Sequence, residues 1–119
     1  MSLKEQKLER KAERIKKALK LLNVVEQIKQ WGYDRGIIQA NKPLSQWNKT
    51  LEEVNELKEA IEKNDKAAID DAIGDSIVTL IMQAEIQKVD ITESLEKVFQ
   101  IINKRKGKLV NGSFVKDND

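Results

Sequence analysis

Hydrophobic positions along the chain predict four helices and one hairpin. Between residues 4 and 30 apolar residues recur at alternating spacings of four and three: Leu8, Ala12, Ile15, Leu19, Leu22 and Val25. Further helices are expected over about 45–63, 66–88 and 91–106, the last opened by a capping box of Asp90 and Glu93 and ended by Gly107. Residues 31–43 mix Gly, Asn, Asp and Pro and predict a loop with a short helical turn. Asn111-Gly112 between apolar pairs predicts a β-hairpin.

Composition supports one all-α domain. The chain has 119 residues, of which 35% are charged and 4% aromatic, with only five Gly and one Pro. We expect an antiparallel four-helix bundle with a short C-terminal hairpin. Its parts would be a helical extension over 1–22, a core bundle over 23–106 and a hairpin tail over 107–119.

Cysteine and histidine are both absent from the chain. Disulfides, thiolate chemistry and the usual zinc ligands are therefore excluded, and any metal must be held by oxygens, which favours Mg²⁺ or Mn²⁺. No apolar run approaches the roughly 20 residues of a membrane span, and the first residues are charged, so we expect a cytoplasmic protein without membrane attachment.

Charge is unevenly distributed although the net charge is only +2. Residues 1–20 carry eight bases against three acids, residues 51–75 nine acids against three bases, and residues 103–119 five bases against two acids. An acidic centre between basic ends predicts a cation site beside an anion site.

The acids of the second predicted long helix lie close to its apolar stripe. At about 100° per residue, Glu53 falls inside the margin of that stripe, Glu56 just beyond it and Glu52 further out. The stripe consists of Leu51, Val54, Leu57, Ala60 and Ile61.

The next helix carries Asp71 and Asp75 one turn apart, on a face shared with Val78 and Met82. Its main apolar stripe is expected to be Ile73, Ile77, Leu80, Ile81 and Ala84. Unpaired carboxylates between packed helices would cost several kcal/mol each, which a divalent cation would remove. Acids at this spacing are also common on solvated, salt-bridged faces, so both interpretations remain open. Gly74 would allow another helix or a ligand to come close.

These motifs resemble the MazG-like, all-α nucleoside triphosphate pyrophosphohydrolase superfamily. The residues Glu52-Glu53-Val54-Asn55-Glu56 match its EExxE motif, and the segment from Asp71 to Asp75 matches the ExxD-type motif of the following helix. The resemblance covers about residues 24–115, including the ending RKGKLVNGSFVK. It departs at Ala72, where the family usually has a glutamate.

The resemblance implies Mg²⁺-dependent hydrolysis of an NTP or dNTP between the α and β phosphates, in a homodimer or homotetramer. It places metal ligands at Glu53, Glu56 and Asp75, with Asp71 as a substitute for the ligand missing at Ala72. Glu52, which points away from these ligands, is the candidate general base. The remaining candidates are expected to contact the nucleotide: Gln46, Lys49, Asn103, Arg105, Lys106, and either Trp31 or Trp47 as a stacking surface.

Two other interpretations compete with the enzyme. The acids could form salt bridges with basic segments in a non-catalytic helical interaction module. The Lys-rich N-terminal helix could bind nucleic acid, although the interleaved Glu5, Glu9 and Glu13 favour a salt-bridged helix face.

Overall fold

Five helices and a two-stranded sheet account for most of residues 1–117, the part of the chain that this computed structural model describes. The all-α class with a C-terminal hairpin is thereby confirmed. The elements are α1 (Leu3–Asp34), α2 (Ile37–Ala40), α3 (Pro43–Glu62), α4 (Lys66–Ile86), α5 (Ile91–Ile102), β1 (Gly107–Val110) and β2 (Ser113–Lys116). The chain divides into two compact units, one ending at Lys88 and the other beginning at Val89.

Helix α1 runs four residues beyond the predicted end, so the loop expected from residue 31 begins only after Asp34. Gly32 is buried there, and a Cβ on it would lie 2.5 Å from Met82 Sδ and 2.9 Å from Ile38 Cδ1. The glycine that suggested a loop is thus a buried point of close packing between α1 and its neighbours. The helix ends instead near Gly36, whose φ of 74° is left-handed.

Helices α3 and α4 form an antiparallel pair. The Gln46 side chain near the start of α3 donates a hydrogen bond of 2.9 Å to the carbonyl of Thr79 near the end of α4. Asn64, with φ of 52°, makes the left-handed turn between the helices, and the Asp65 carboxylate caps α4 by accepting from the Ala68 N–H at 3.1 Å. The short connection predicted by Asn64-Asp65 is therefore present.

The faces buried in this unit are not the predicted apolar stripes. Seven of the nine buried residues of α3 and α4 are small or polar: Gln46, Thr50, Glu53, Ala60, Ala72, Ser76 and Thr79. The other two are Ile81 and Met82. The hydroxyls of Thr50, Ser76 and Thr79 donate to carbonyls of their own helices, so burying them leaves no donor unsatisfied.

The stripe predictions were therefore wrong for most members. Ala60 and Ile81 are buried, but six of the ten predicted members are 44–57% exposed in the single chain: Leu51, Val54, Ile61, Ile73, Ile77 and Leu80. A Cβ on Gly74 would likewise meet no atom within 4 Å, so no close approach occurs at that glycine within residues 1–117.

The second unit contains α5 and the hairpin. The Asp90 carboxylate accepts hydrogen bonds from the backbone N–H groups of Thr92 and Glu93. This is the half of the predicted capping box in which the N-cap side chain caps the helix. Helix α5 ends at Ile102, four residues before the expected end, and Gly107 begins β1 instead of terminating the helix. The pairing of Gly107 with Lys116 explains the difference, since it draws this segment into the sheet.

The hairpin turn has the predicted chemistry. Asn111 and Gly112 have φ values of 50° and 79°, and they connect Val110 to Ser113 in an antiparallel register. Two consecutive left-handed residues are what a type I′ turn requires.

Among residues 1–117, no helix combines the length and apolar character that crossing a membrane would require.

Candidate active site

Three carboxylates meet between α3 and α4. Glu53 and Glu56 come from successive turns of α3, and Asp75 comes from α4, where the antiparallel pairing brings it alongside. One oxygen of each lies within 4.8 Å of the other two. The sequence named all three residues, and the fold brings them together.

Glu53 is the buried member of this carboxylate cluster, with 8% of its surface exposed. Its Oε1 atom is 3.2 Å from Lys49 Nζ, whereas Oε2 is shielded from solvent and has no hydrogen-bond partner. Buried carboxylate oxygens are normally paired, because leaving one without a partner costs the full desolvation penalty. With Glu56 ionised, this oxygen has neither a donor nor a cation within residues 1–117.

The pKa of Glu56 is affected by its neighbours Glu53, Lys49 and Asp75. A side-chain hydrogen bond to Glu53, followed by the negative charge of Glu53 and by burial, raises the pKa of Glu56 above its ordinary value. Lys49 partly offsets this shift, and the charge of Asp75 adds a small contribution in the raising direction. A divalent cation among these oxygens would relieve the repulsion between the ionised carboxylates.

Lys49 links the carboxylate cluster to Glu52. Its Nζ is 3.3 Å from Glu52 Oε2, and the hydrogen bonds to Glu53 and then Glu52 raise the pKa of Lys49. Glu52 itself is largely exposed and lies outside the cluster, as its angular position predicted.

Asp71 does not join these oxygens. It is exposed on α4, and the groups in residues 1–117 that could hold a metal do not include it. Ala72, which stands where the resemblance would place a glutamate, is buried at 4% exposure.

Comparison with known proteins identifies the family. The MazG nucleotide pyrophosphohydrolase domain matches residues 41–110, which include the whole carboxylate cluster. This chain belongs to the MazG family. A relative described as an uncharacterized 18.2 kDa protein in the rep-hol intergenic region of Haemophilus phage HP1 is 33% identical over 78 residues. That match covers 66% of this chain but only 47% of the phage protein, and no solved structure matches.

Gln46 sits inside the MazG domain but faces its core. The side chain is buried, donates to the Thr79 carbonyl and accepts from Asn41 Nδ2 at 2.9 Å. Both ends of its amide are therefore engaged in holding α3 against its surroundings, whereas the sequence had suggested a nucleotide contact.

The basic candidates lie in the second unit of the MazG chain. Arg105 and Lys106 line a groove of about 370 Å³ together with Ile101, Lys104, Lys116 and Asp117. Asn103 is the C-cap of α5, where its backbone N–H donates to the Phe99 carbonyl at 2.8 Å. Sequence reasoning missed Lys116, because only the strand pairing shows that it comes close to residues 104–106.

Both tryptophans present large surfaces to solvent. Trp31, in the last turns of α1, is 44% exposed, and Trp47, in the first turns of α3, is 54% exposed. Either indole is thus accessible for stacking.

One further polar cluster was not foreseen. Tyr33 Oη donates a hydrogen bond of 2.9 Å to Glu85 Oε2, and Glu85 Oε1 is 3.5 Å from Lys29 Nζ. These contacts tie the end of α1 to α4. The sequence placed Tyr33 in a loop and gave no signal for them.

Proposed function

We propose that this protein is a Mg²⁺-dependent nucleotide pyrophosphohydrolase that cleaves an NTP or dNTP between the α and β phosphates. The observation that carries the proposal is the buried, unpartnered Oε2 of Glu53 within a three-carboxylate cluster. Membership in the MazG family supplies the reaction class. A role in controlling the cellular nucleotide pool would follow.

The donor set fits a hard divalent cation. Glu53, Glu56 and Asp75 offer only oxygen ligands, which suit Mg²⁺ or Mn²⁺, and their separations would allow one ion to touch all three. When bound, such an ion neutralises phosphate oxygens and lowers the pKa of a coordinated water. Asp71 is not part of the proposed set because its carboxylate lies outside the cluster.

Glu52 is the proposed general base. It is exposed, adjacent in sequence to a ligand and not committed to the cluster, so it can accept a proton from the attacking water. Lys49, which is ion-paired to both Glu52 and Glu53, would hold these two carboxylates in place and offer a positive charge to the substrate.

The basic groove is the proposed phosphate contact. Arg105, Lys106 and their neighbours place several cations along one groove, and guanidinium groups bind phosphate oxygens bidentately. Asn103, at the adjoining helix end, could donate to the sugar, and Trp31 or Trp47 could stack on the base.

The test is pyrophosphate release from a panel of NTPs and dNTPs with Mg²⁺, with Mn²⁺ and with EDTA. We expect metal-dependent release from at least one nucleotide. Glu56→Gln should abolish it, whereas Glu59→Gln, an equally conservative change at an exposed glutamate one turn further along α3, should leave it intact. Absence of release by the folded protein with either metal would refute the enzymatic proposal.

One observation favours the alternative of a non-catalytic interaction module. Lys49 already neutralises part of the acidic surface by pairing with Glu52 and Glu53. If the acids serve only such salt bridges, Glu53→Gln should lower the free energy of unfolding by removing its ion pair with Lys49, and no activity should be found.

We further propose that the chain acts as a homodimer or homotetramer. The six exposed apolar residues of α3 and α4 named above form faces that water would otherwise cover. Exposed apolar side chains on a pair of packed helices are typical of association sites.

A further inference from the structure

The first part of α1 carries an apolar stripe that the proposed catalytic function does not use. Every residue from 1 to 24 is exposed, so this part of the helix packs against nothing in residues 1–117. The stripe, called here the N-terminal seam, consists of Leu8, Ala12, Ile15, Leu19 and Leu22. Its alternating spacings of four and three are those of a heptad repeat with apolar residues at the a and d positions.

We propose that the N-terminal seam is covered by the same seam of a second copy of this chain, in an antiparallel two-stranded coiled coil. With Ala12 and Leu19 at a and the other three residues at d, an antiparallel pair forms alternating a and d layers. Leu8 then faces Leu19 of the other copy, and Ala12 faces Ile15. Twofold symmetry repeats each contact, as an isologous dimer requires.

Charge beside the seam selects the antiparallel direction. The e positions are Glu9 and Lys16, and in the antiparallel register Glu9 of one copy lies opposite Lys16 of the other, twice per dimer. A parallel pair would set Lys4, at g, against Glu9 at the following e position, but also Lys11, at g, against Lys16, each twice. Its attractive and repulsive contacts would therefore offset each other, whereas the antiparallel pair has only attractive ones at e. The like charges of Lys11 and Lys16 disfavour the parallel dimer.

Apart from Glu5, which occupies the terminal a position opposite Leu22, the remaining charges are compatible with this pairing. In the antiparallel register Lys11 lies opposite Ala18, and Arg10 and Lys17 occupy f positions, which project away from the partner. Within residues 1–117, no carboxylate of Glu5, Glu9 or Glu13 is within 4.0 Å of a Lys or Arg nitrogen. The salt-bridged face expected from the sequence is therefore not formed inside one chain, and Glu9 remains available to the other copy.

This interface is separate from the carboxylate cluster and from the exposed faces of α3 and α4. Its test must therefore distinguish the seam from any other contact between copies. Leu19 and Leu21 provide a matched pair, because they are 62% and 63% exposed and only Leu19 belongs to the seam.

The first experiment is sedimentation velocity on the full chain over a range of concentrations. Leu19→Lys should weaken association by roughly tenfold or more, because it places a charge in an apolar layer. Leu21→Lys should leave association unchanged within about twofold, since position c faces solvent. Equal behaviour of the two variants would overturn the proposal.

Charge exchange tests the direction. Glu9→Lys and Lys16→Glu should each weaken self-association, and mixing the two variants should restore it, because both cross-pairs are again opposite in sign. Stronger self-association of Lys16→Glu would indicate the parallel dimer. Unchanged association, with loss of binding to a duplex DNA probe, would assign the helix to nucleic acid. Either result contradicts the antiparallel pair.

Cross-linking tests the register. Because the chain contains no cysteine, Glu5→Cys and Leu22→Cys each introduce a unique thiol. A mixture of the two variants should form a heterodisulfide on mild oxidation, since residues 5 and 22 face each other in the antiparallel layers. Glu5→Cys alone should not cross-link, as its two thiols would lie about 25 Å apart along the axis. A homodisulfide of Glu5→Cys, or no cross-link in the mixture, would overturn the proposed register.

Discussion

Glu53 places a carboxylate where one of its oxygens reaches neither water nor a donor within residues 1–117. The Lys49 ammonium balances the other oxygen, and Glu56 and Asp75 add negative charge beside the first. At the scale of single residues, this arrangement resembles an active site more than a stabilising ion pair, because stability alone would favour a neutral side chain at such a position.

The first prediction concerns metal-dependent stability at Glu53. Mg²⁺ at about 100 times its dissociation constant should raise the free energy of unfolding by about 2.7 kcal/mol, because it binds only the folded chain. Glu53→Gln should reduce this gain to less than about 1 kcal/mol, since it removes a charged ligand. Urea unfolding followed by tryptophan fluorescence, with Mg²⁺ and with EDTA, measures both values.

Glu59→Gln is the control for this experiment and should keep the full gain. A Glu53→Gln variant that responds to Mg²⁺ as strongly as the original chain would show that the buried oxygen is not a metal ligand.

The second prediction concerns the only tyrosine of the chain. The hydrogen bond to Glu85 raises the pKa of Tyr33 above its ordinary value of 10.0. Between the unfolded and folded pKa values the native state binds more protons, so this contribution to stability is lost as pH rises through the folded pKa. Glu85→Gln should lower the pKa of Tyr33 and reduce that loss.

Titration of the tyrosinate absorbance reports this pKa without interference from other tyrosines. Glu59→Gln again serves as the control, and its titration should coincide with that of the original chain. If the titration curve of Glu85→Gln is the same as those of the original chain and of Glu59→Gln, the Tyr33 hydrogen bond does not persist in solution.

At the scale of elements, the end of α1 shows how a tertiary contact overrides a local signal. The segment from Trp31 to Asp34 contains a glycine and was expected to be a loop, yet it is helical. The absence of a side chain at Gly32 lets Met82 of α4 and Ile38 of α2 come close to the α1 backbone. That packing and the Tyr33 contact to Glu85 compensate for the low helix propensity of glycine.

The third prediction compares two helical glycines. Gly32→Ala should destabilise the fold by up to about 2 kcal/mol, because overpacking costs roughly 1–3 kcal/mol and the better helix propensity of alanine offsets about 1 kcal/mol. The crowded atoms, Met82 Sδ and Ile38 Cδ1, belong to flexible side-chain ends that can shift. Gly74→Ala should stabilise it by up to about 1 kcal/mol, since the added methyl group enters open space in the single chain. Urea unfolding of dilute protein measures both changes.

Each glycine variant is the control for the other. If the Gly32→Ala variant is at least as stable as the Gly74→Ala variant, the tight contact at Met82 is contradicted. Weaker association of Gly74→Ala at high concentration would show that another copy approaches α4 at this position.

At the scale of the whole molecule, the described fold leaves much of its apolar surface uncovered. The α3 and α4 faces around Val54 and Ile77, and the N-terminal seam, are exposed in one chain. Exposed apolar side chains of this kind are typical of association sites, which is the basis of the proposed assembly.

The fourth prediction tests the α4 face. Ile77→Lys should change the free energy of unfolding of the dissociated chain by no more than about 0.5 kcal/mol, because the side chain is half exposed. It should nevertheless lower the mass of the assembly in light scattering. Asn55→Lys, which adds the same charge at an exposed polar position of α3, should leave the mass unchanged. An unaltered mass for Ile77→Lys would exclude this face from the interface.

The sequence by itself determined the all-α class, the turn at Asn111-Gly112, the cap at Asp90 and the identity of the clustered acids. Each depends on chemistry within a few residues: helical periodicity, left-handed turn residues and the angular position of Glu53 and Glu56 on α3. A resemblance in the same segment pointed to the MazG family, which the domain match then confirmed.

Only the tertiary structure decided which helix faces are buried, where α1 and α5 end and which acids meet across helices. Burial depends on how closely two backbones approach, and small residues such as Ala72 and Ser76 permit an approach that an apolar stripe does not reveal. Packing between distant segments likewise decides that Asp71 lies outside the carboxylate cluster and that Lys116 lines the same groove as Arg105. Helical periodicity gives each side chain an angle around its own axis, but packing decides which angle faces the partner.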